Sequence, residues 1–594
     1  MRSPSLLLLL TACGGRGCGG CNPDDTGHTA EPCSDEDMSV WYEDNDDDGH
    51  SDAAASLEAC EQPDGAVSSS DDCDDGDAAV WAEGPVYVDA DGDGYGAGDS
   101  VEQCGLPEGY AAVNADCDDA AAEVHPDAEV VCGNGTDDDC DGQSDCAGSD
   151  VTDPADLIVS RIEGDGGAAL GASVLAPGDL DQDGHPELSI GAPDQDGAGA
   201  AYLFFGVGAA VLQASEADAV ATGTGDGIQA GAALALADLS GDGVLDWIVS
   251  APDMSTGVGG ASVYVVHGPL AGSTSLEDGV SVTVIKSGTG WSVDAGVDYR
   301  GSDDLDLLLS NDSAVVLIQG PLEEGEYSTS DLADGAISAG DADDGQRVVF
   351  AGDVTGDGLV DVLYGAPEDT WGSDDDPDRD DAGNVFLIDD AQAFRDGLSG
   401  DETAHDLARV SILGEMTGSR LGAALSPTGD VDGDGYADVL VGAPSWRRFT
   451  SEPDAGAAYL YSGSDLTGLD AGAVLAAEDG EARVYGEASG DELGTSVAGG
   501  ADLDGDGTPD IVVGVPGYDS DLGAALVWFG APRGEQEIGD ADLTLTGEAT
   551  ADRFGQAVDA GGDFNGLGWD DLVVGAPGVS GGDGVVFVFA LDRL

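Results

Sequence analysis

Short acidic loops with alternating carboxylates recur along the chain. Their side chains are the strongest candidates for a chemical role, which is the binding of metal ions. In Asp502-x-Asp504-x-Asp506-Gly507-x-x-Asp510, carboxylates stand at positions one, three, five and nine. Hard cations such as Ca²⁺ take roughly six to eight oxygen ligands, and glycine at position six permits the sharp turn that points alternate residues inward. Because four nearby carboxylates repel one another without a cation, the spacing predicts calcium loops. The last acid stands at position nine and strands flank the loops, so these are not EF-hands.

Five loops between residues 179 and 510 are predicted to bind calcium, with position seven acting through its backbone carbonyl. The predicted ligands are Asp179, Asp181, Asp183, His185 and Glu187 in loop one; Asp238, Ser240, Asp242, Val244 and Asp246 in loop two; Asp353, Thr355, Asp357, Leu359 and Asp361 in loop four; Asp430, Asp432, Asp434, Tyr436 and Asp438 in loop five; and Asp502, Asp504, Asp506, Thr508 and Asp510 in loop six. Loops one, five and six are favoured, since loops two and four each carry a hydroxyl among their ligands. The alternative is a set of Asp/Gly hairpin turns that hold no metal.

Two related loops depart from this pattern. Loop three begins at Asp298 and has Arg300 where a ligand should stand, so no metal is expected there. Loop seven begins at Asp563 but has Leu567 at its fifth position, and its metal binding is left open.

An N-terminal region that contains all 11 cysteines carries three further acidic loops. Their carboxylates are Asp44, Asp46, Asp48 and Asp52; Asp89, Asp91 and Asp93; and Asp137, Asp139, Asp141 and Asp145. Cys60 and Cys73 recur as Cys104 and Cys117, both at an offset of 44. This repeat favours a small module held by disulfides and metal over a solvated acidic tether. Calcium is expected here rather than copper, because few histidines are available as copper ligands.

The first residues have the features of an export signal. A positive start is followed by an apolar run, and Leu10-Thr11-Ala12-Cys13 resembles the lipobox of bacterial lipoproteins. The resemblance implies lipidation of Cys13 and an outer-membrane or cell-surface location; a plain secretory signal is the alternative. The domain prediction is a signal peptide over 1–12, a flexible tether over 13–32, acidic Cys-rich repeats over 33–148, a linker over 149–156 and a large repeat domain over 157–594. Export also predicts an oxidising compartment and disulfides among the remaining cysteines.

The formal net charge of −106 argues against two classes of partner, nucleic acid and anionic lipid. A chain with 16 basic and 122 acidic residues has no basic surface to displace counterions from nucleic acid. The same charge disfavours docking to anionic lipid, so membrane attachment is expected only through the lipid anchor, on a monomeric protein.

The large repeat domain positions the acidic loops. Seven repeats begin roughly every 64 residues. Each has a small-residue segment, the acidic loop, an apolar run that mostly ends in a Pro corner, an aromatic run and a more polar segment. Segments of about five residues between Gly/Pro turns predict strands. Four strands in each of seven repeats predict an all-β fold, a seven-bladed β-propeller. Residues 157–162 are expected to pair beside 585–589 and complete the seventh sheet.

Two family resemblances follow from these motifs. The acidic loop with its Pro corner, and Phe554-Gly555 with its Leu-Gly equivalents at 170–171, 421–422 and 493–494, resemble the FG-GAP repeats of the integrin α-chain propeller. The Cys-rich region resembles the MopE type of repeat, which is linked to metal and to copper. The integrin resemblance implies calcium on one face of the propeller and ligand recognition on the other.

No catalytic constellation is evident, so the chain is expected to be a non-enzymatic, calcium-binding surface protein for adhesion or ligand binding. Its partner would be a protein or glycan. Trp371, Trp446, Arg447 and Arg448 lie in the longest loops expected on the face away from calcium and are the predicted ligand contacts. A metal-sequestering surface protein, for calcium or copper, is the alternative; a secreted lectin or hydrolase with an unrecognised site is the second.

Overall fold

The chain forms two compact units in this computed structural model, Met1–Ala147 and Gly148–Leu594. In the first unit the structure describes residues 39–43, 56–59, 66–68, 83–90, 95–104, 106–107, 109–111, 113–114, 117 and 121. In the second it describes 157–591 except 165, 183, 208–210, 226, 253–260, 278–280, 289–291, 300, 303, 311–313, 339–346, 371–380, 390–393, 395–402 and 448–453. The signal, tether and linker predictions therefore lie outside the described residues. So do Cys13, Asp183, Trp371, Arg448 and every predicted N-terminal loop ligand except Asp89.

Two small sheets make up the described part of the first unit. Ser39–Glu43 pairs antiparallel with Ser56–Ala59 and with Ala66–Val67. Glu83–Val88 pairs antiparallel with Tyr95–Cys104 and with Tyr110–Ala111, and Tyr95–Cys104 also pairs with Val113–Asn114. Asp89 directly follows the strand Glu83–Val88.

Within its described residues, the second unit contains seven sheets, each built on four neighbouring antiparallel strands. Sheet one contains Ser173–Gly178, Glu187–Ala192, Ala200–Phe205 and Ala219–Thr222; sheet two contains Leu234–Ala237, Asp246–Ala251, Ala261–Val266 and Val282–Gly288; sheet three contains Val293–Val297, Asp306–Ser310, Val315–Gln319 and Ala333–Ile337. Sheet four contains Arg347–Gly352, Asp361–Ala366, Asn384–Ile388 and Val410–Leu413; sheet five contains Ala424–Gly429, Asp438–Ala443, Ala457–Tyr461 and Ala482–Tyr485. Sheet six contains Val497–Gly499, Ile511–Val515, Ala524–Trp528 and Leu543–Thr546; sheet seven contains Ala557–Ala560, Leu572–Ala576, Val585–Phe589 and Ile158–Glu163.

The seventh sheet confirms one sequence prediction. Its fourth strand is Ile158–Glu163, which pairs antiparallel with Val585–Phe589 although more than 400 residues separate them in sequence. This pairing covers the edge of the third strand, which would otherwise be free to pair with another chain.

Packing of successive sheets creates the core. The first strand of each sheet contacts the first strands of the sheets before and after it, and that of sheet seven contacts that of sheet one. Apolar residues of the second, third and fourth strands fill the space between neighbouring sheets, as Val527 and Leu545 of sheet six do against Phe587 of sheet seven. The small first strands and bulkier later strands fit the all-β propeller class.

In the part of the chain that the structure describes, five sheets have a fifth, outer strand that is parallel to the fourth. These strands are Gly272–Ser275 on sheet one, Glu326–Ser328 on sheet two, Ala473–Ala476 on sheet four, Gly534–Glu537 on sheet five and Val211–Gln213 on sheet seven. Each comes from the connection between the third and fourth strands of the following sheet.

Helical segments are short. Four-to-five-residue α-helical turns span Thr329–Leu332, Ala404–Leu407, Gly463–Thr467, Tyr518–Asp521 and Val579–Gly582, and 3₁₀ turns span Gln195–Gly197, Ala214–Glu216, Ala477–Asp479 and Ile538–Asp540. Within the described residues, every helix is too short and too polar to cross a membrane.

Candidate metal centres

The acidic loops join the first and second strands of each sheet. Their position-nine acid begins the second strand or directly precedes it, so the strand fixes this side chain while the glycine-rich loop supplies the others. In loop six, Gly507 has a φ of 88°, a conformation that favours glycine. Because neighbouring strands are antiparallel, all these loops emerge at the same end of their sheets.

Loop six brings three carboxylates together. Asp502, Asp504 and Asp510 each offer an oxygen within 4.8 Å of the others. The backbone holds them in place: Gly507 N–H donates to Asp502 Oδ2 at 2.9 Å, and Leu503 N–H donates to Asp510 Oδ2 at 2.7 Å. Like charges this close repel one another, and a bound cation would offset that repulsion.

Loop five repeats this arrangement with Asp430, Asp432 and Asp438, again within 4.8 Å. Gly435 N–H donates to Asp430 Oδ2 at 2.9 Å and Val431 N–H donates to Asp438 Oδ2 at 2.9 Å. The two loops therefore build one geometry from different sequences.

Loops four, five and six share a buried oxygen at position one with no hydrogen bond in the described structure, a feature that fits a cation ligand. The Oδ1 atoms of Asp353, Asp430 and Asp502 are buried and accept no hydrogen bond from the residues that the structure describes. An acceptor left in this state destabilises a protein by about 1–3 kcal/mol or more. A hard cation at the centre of the loop would satisfy these oxygens directly.

Burial also acts on the acid at position nine. It raises the pKa of Asp510 to about 7 and that of Asp438 to about 6, against the opposing effect of backbone N–H donors. Burial likewise raises the pKa of Asp361 in loop four to about 7. Desolvation disfavours the charged carboxylate, and a nearby cation would reverse the shift.

Loop one has the third carboxylate cluster, formed by Asp179, Asp181 and Glu187. Glu187 is buried and accepts Leu180 N–H at 2.7 Å, whereas Asp179 and Asp181 are exposed. His185 is exposed, and its predicted ligand is the backbone carbonyl rather than the ring.

Loop four has the fold of loops five and six but fewer carboxylates. Thr355 stands at position three, where its N–H and hydroxyl both donate to Asp361, at 2.8 and 3.4 Å. Asp357 Oδ1 accepts Leu359 N–H at 2.8 Å. The hydroxyl thus partly satisfies the acid that a cation would otherwise neutralise.

Loop two is satisfied internally. Asp238 Oδ1 accepts N–H groups of residues 241 and 242 and the Ser240 hydroxyl, and Asp238 Oδ2 accepts Gly243 N–H at 2.7 Å. Asp246 is paired with the buried His267, whose Nδ1 lies 3.2 Å from Asp246 Oδ1. The hydrogen bond to Asp246 raises the pKa of His267, while burial of the ring opposes this shift.

Loops three and seven are held by hydrogen bonds of their own. In loop seven, Asp563 accepts N–H groups of residues 566, 567 and 568 at 2.6–3.0 Å. The Asn565 amide donates to Asp571 Oδ1 at 3.2 Å, in the place where a cation would bind. In loop three, Ser302 N–H donates to Asp298 Oδ1 at 2.8 Å.

The structure buries Trp446, which was predicted from the sequence as a surface ligand contact. Its side chain is only 6% exposed, its indole N–H donates to Glu415 Oε2 at 2.6 Å, and its ring stacks on Tyr485 at 4.4 Å. Trp446 is therefore a core residue. Arg447 is half-buried and donates to Thr417 O at 3.2 Å.

Sequence reasoning missed two groups of polar side chains. Glu415 joins Trp446 to Tyr485 by accepting hydrogen bonds from both, and Tyr485 O–H donates at 3.1 Å. Asp294 and Asp559 each accept a backbone N–H of the following sheet, from Phe350 and Ala176, at 2.8 and 2.7 Å. No local motif marks these residues, because their partners lie far away in sequence.

Comparison with known proteins identifies FG-GAP repeats at residues 171–204, 421–461 and 493–528. These segments contain loops one, five and six, the same three that have carboxylate clusters.

Three relatives show a similar degree of likeness. The chain is 32% identical over 186 residues to integrin alpha-5 of Xenopus laevis, across 31% of this chain and 15% of the relative. It is 34% identical over 175 residues to integrin alpha-PS2 of Drosophila melanogaster, across 28% and 11%. It is 33% identical over 178 residues to phosphatidylinositol-glycan-specific phospholipase D of Bos taurus, across 29% and 20%. The chain thus spans at most a fifth of each relative's length, and the matches support an integrin-like FG-GAP propeller.

Proposed function

We propose that this FG-GAP repeat protein is a calcium-stabilised, non-enzymatic surface protein whose residues 157–594 form a seven-bladed propeller that binds a protein or glycan. The observation that carries the proposal is the coincidence of three carboxylate clusters with the three matched FG-GAP segments. The seven sheets with neighbouring first strands support the propeller. Export as a lipoprotein through Cys13, with a MopE-like metal-binding N-terminal region, completes the proposal.

Calcium would be held by the carboxylates and by the carbonyl at position seven of loops one, five and six. In loops five and six, Asp430 and Asp502 contribute the buried oxygens that lack a hydrogen bond in the described structure. The cation supplies positive charge where each second strand begins, and this charge offsets the repulsion among the carboxylate ligands. We propose calcium rather than magnesium because the sites offer many oxygens in a flexible loop.

A hydrogen-bonded chain in sheet two resembles a hydrolase triad but cannot act as one. His267 Nδ1 lies 3.2 Å from Asp246 and His267 Nε2 lies 2.8 Å from the Thr283 hydroxyl. Thr283 is fully buried and donates its own proton to Glu323 O at 2.9 Å, so no substrate reaches its oxygen. The phospholipase D among the relatives makes phosphodiester hydrolysis the alternative to assay.

The calcium proposal is tested by thermal melts in Ca²⁺ and in EDTA. Calcium should raise the melting temperature of the native chain, and Asp504→Ala in loop six should reduce that increase. Asp304→Ala is the matched control, because Asp304 lies at position seven of loop three, which is expected to hold no metal. An EDTA melt that coincides with the calcium melt would contradict the proposal.

The ligand surface is proposed on the face opposite the acidic loops, near Arg447 and Arg448. Since Trp446 is part of the core, the test uses Arg447→Ala with Arg448→Ala. Arg483→Ala, on the fourth strand of sheet five, controls for loss of positive charge. Binding to a glycan array and to native cell surfaces should fall in the double variant and persist in the control. Unchanged binding by the double variant would place the ligand elsewhere.

A further inference from the structure

We propose that three acidic residues outside the acidic loops, Asp218, Glu481 and Asp542, belong to the calcium sites of loops one, five and six and strengthen cation binding by their charge. Each directly precedes the fourth strand of its sheet, and we call the three residues the flanking acids. The inference rests on the proposed calcium function and deepens it, because it adds to each site an acid that the loop motif does not include.

The flanking acids occur in the same three sheets as the carboxylate clusters. In sheets one, five and six, the residue before the fourth strand is acidic, and within the described residues loops one, five and six have the clusters. Sheet four has a cation in this place, Arg409, which pairs with Asp389 at 3.2 Å. In the remaining sheets the residue before the fourth strand is uncharged: Ser281, Leu332 and Leu157.

The strand register gives the three flanking acids the same place beside their loops. The acidic loop and the start of the fourth strand lie at the same end of a sheet, because neighbouring strands are antiparallel. In all three sheets, the residue two after position nine pairs through the third strand with the first residue of the fourth strand. These rows are Ser189, Leu203 and Ala219; Leu440, Leu460 and Ala482; and Val512, Val527 and Leu543.

In sheet six, two adjacent backbone N–H groups connect the flanking acid to loop six. Phe529 N–H donates to Asp542 Oδ2 at 3.0 Å. The next N–H along the chain, that of Gly530, donates to Oδ1 of the position-nine acid Asp510 at 2.8 Å. Asp542 therefore lies beside the acid that begins the second strand.

Sheet one repeats this contact. Phe205 N–H donates to Asp218 Oδ2 at 3.0 Å, and Phe205 pairs with Glu187, the position-nine acid of loop one. The same hydrogen bond therefore holds a flanking acid beside the loop in two sheets that differ in sequence.

The charges of the flanking acids act on position three of the loops. Burial raises the pKa of Asp504 in loop six, and the charge of Asp542 adds to this shift together with charges of the loop itself. Burial also raises the pKa of Glu481, which Arg533 opposes and the charge of Asp432 in loop five increases. Glu481 Oε2 is buried and accepts no hydrogen bond in the described structure, while Arg533 forms an ion pair with Oε1.

The flanking acids form a second layer of negative charge behind the ligands. Asp218 and Asp542 are exposed, and neither belongs to the sets of carboxylates whose oxygens lie within 4.8 Å of one another. One oxygen of each is already held by a backbone N–H. Groups that surround the direct ligands typically change metal affinity by about 10–100-fold.

Calcium titrations of the full chain, followed by hydrogen exchange at each loop, test the inference. Calcium should slow exchange at residues 503–510 and 431–438, and the midpoint of each titration reports the affinity of that loop. Asp542→Asn keeps an oxygen for Phe529 N–H but removes the charge. It should raise the calcium midpoint of loop six about tenfold, the low end of the range because Asp542 is exposed, and leave loop five unchanged.

Two substitutions at sheet five should act in opposite directions. Glu481→Gln should raise the midpoint of loop five and leave that of loop six unchanged. Arg533→Gln removes the positive charge beside Glu481 and should lower the midpoint of loop five. Asp540→Asn is the matched control, because Asp540 lies in the same connection as Asp542, is exposed and accepts Glu537 N–H at 2.8 Å. It should leave both midpoints unchanged.

Salt separates the charge of Asp542 from its contribution to the turn. Raising the ionic strength from about 0.1 M to about 1 M shortens the screening length from about 10 Å to about 3 Å. The difference between the midpoints of the native chain and Asp542→Asn should therefore shrink at high salt. A residue that only holds the Phe529 N–H would give no difference at either ionic strength.

Two results would overturn this inference and leave the calcium proposal standing. In one, calcium protects both loops with the same midpoints in the native chain, Asp542→Asn and Glu481→Gln. In the other, Asp540→Asn shifts the midpoint of loop six as much as Asp542→Asn does, which would reflect the net charge of the chain. If calcium protects neither loop in the native chain, the calcium proposal and this inference are both wrong.

Discussion

Replacing Asp502 by Asn separates the charge of a calcium ligand from its structural role. Asp502 Oδ2 accepts Gly507 N–H at 2.9 Å, and Asn can accept that bond through its carbonyl. Its Oδ1 is buried and accepts no hydrogen bond in the described structure, and Asp502 forms a carboxylate cluster with Asp504 and Asp510. In calcium, Asn weakens a ligand and should lower stability. In EDTA, the substitution removes one of the like charges and should raise stability.

The size of the calcium effect follows from linkage. Extracellular calcium modules bind at about 10⁻⁴–10⁻³ M. At about 10 mM free Ca²⁺, one such site stabilises the folded chain by roughly 1.4–2.7 kcal/mol. The unfolding free energy is higher in calcium than in EDTA by the sum of such contributions. Asp502→Asn should remove most of the contribution of loop six and leave those of loops one and five.

Urea unfolding in calcium and in EDTA measures this difference, and Asp563→Asn is the control. Asp563 in loop seven accepts three backbone N–H groups, so its substitution should destabilise the chain equally in both buffers. Two results would refute the reasoning. In the first, Asp502→Asn lowers the unfolding free energy equally in calcium and in EDTA. In the second, Asp563→Asn reduces the stabilisation by calcium as much as Asp502→Asn does.

Three further predictions concern the fold. Trp446→Ala should lower the free energy of unfolding by about 3–5 kcal/mol, and Trp446→Phe, which keeps the ring contact, by about 1–3 kcal/mol in urea melts. Burial raises the pKa of Asp294 from 3.8 to about 6, so the stability gained from its protonated form is present below about pH 4 and lost as pH rises through about 6. In calcium-saturated buffer, Asp294→Asn should remove this pH dependence, which amounts to about 1–3 kcal/mol of unfolding free energy between pH 4 and pH 6. Gly494→Ala should destabilise far more than Gly507→Ala in the same melts, because an added Cβ would lie 2.3 Å from Ala457 O in the first and near nothing in the second.

Local sequence patterns were sufficient for the repeated elements. Acidic loops, Pro corners and aromatic runs predicted the strands, and the polar character of residues 157–162 predicted their pairing with Val585–Phe589. The same patterns predicted which loops gather three carboxylates, because a hydroxyl or an Arg at position three removes a ligand from the set. Seven similar repeats make these local signals mutually consistent.

Contacts between distant residues could not be predicted in this way. Trp446 and Arg447 were assigned to a surface because they lie in a loop, yet Glu415 and Tyr485 from neighbouring segments enclose the indole. The pairing of His267 with Asp246 gave no signal in the sequence, because 21 residues separate the two. The parallel outer strands were also missed, because each is only three or four residues long and pairs with a different repeat.

The acidic residues of these loops have two different roles, which the alternating Asp pattern in the sequence does not distinguish. The acid at position nine is at most 1% exposed in all seven loops, including loop three. There Asp306 accepts Tyr299 N–H at 3.1 Å although Arg300 interrupts the ligand pattern. Position nine therefore fixes the turn into the second strand whether or not a cation binds. Position one differs between the loops: Asp502 has a buried oxygen that accepts no hydrogen bond in the described structure, whereas both oxygens of Asp563 accept backbone N–H groups of its own loop. Calcium affinity should thus follow position one, and the fold should follow position nine.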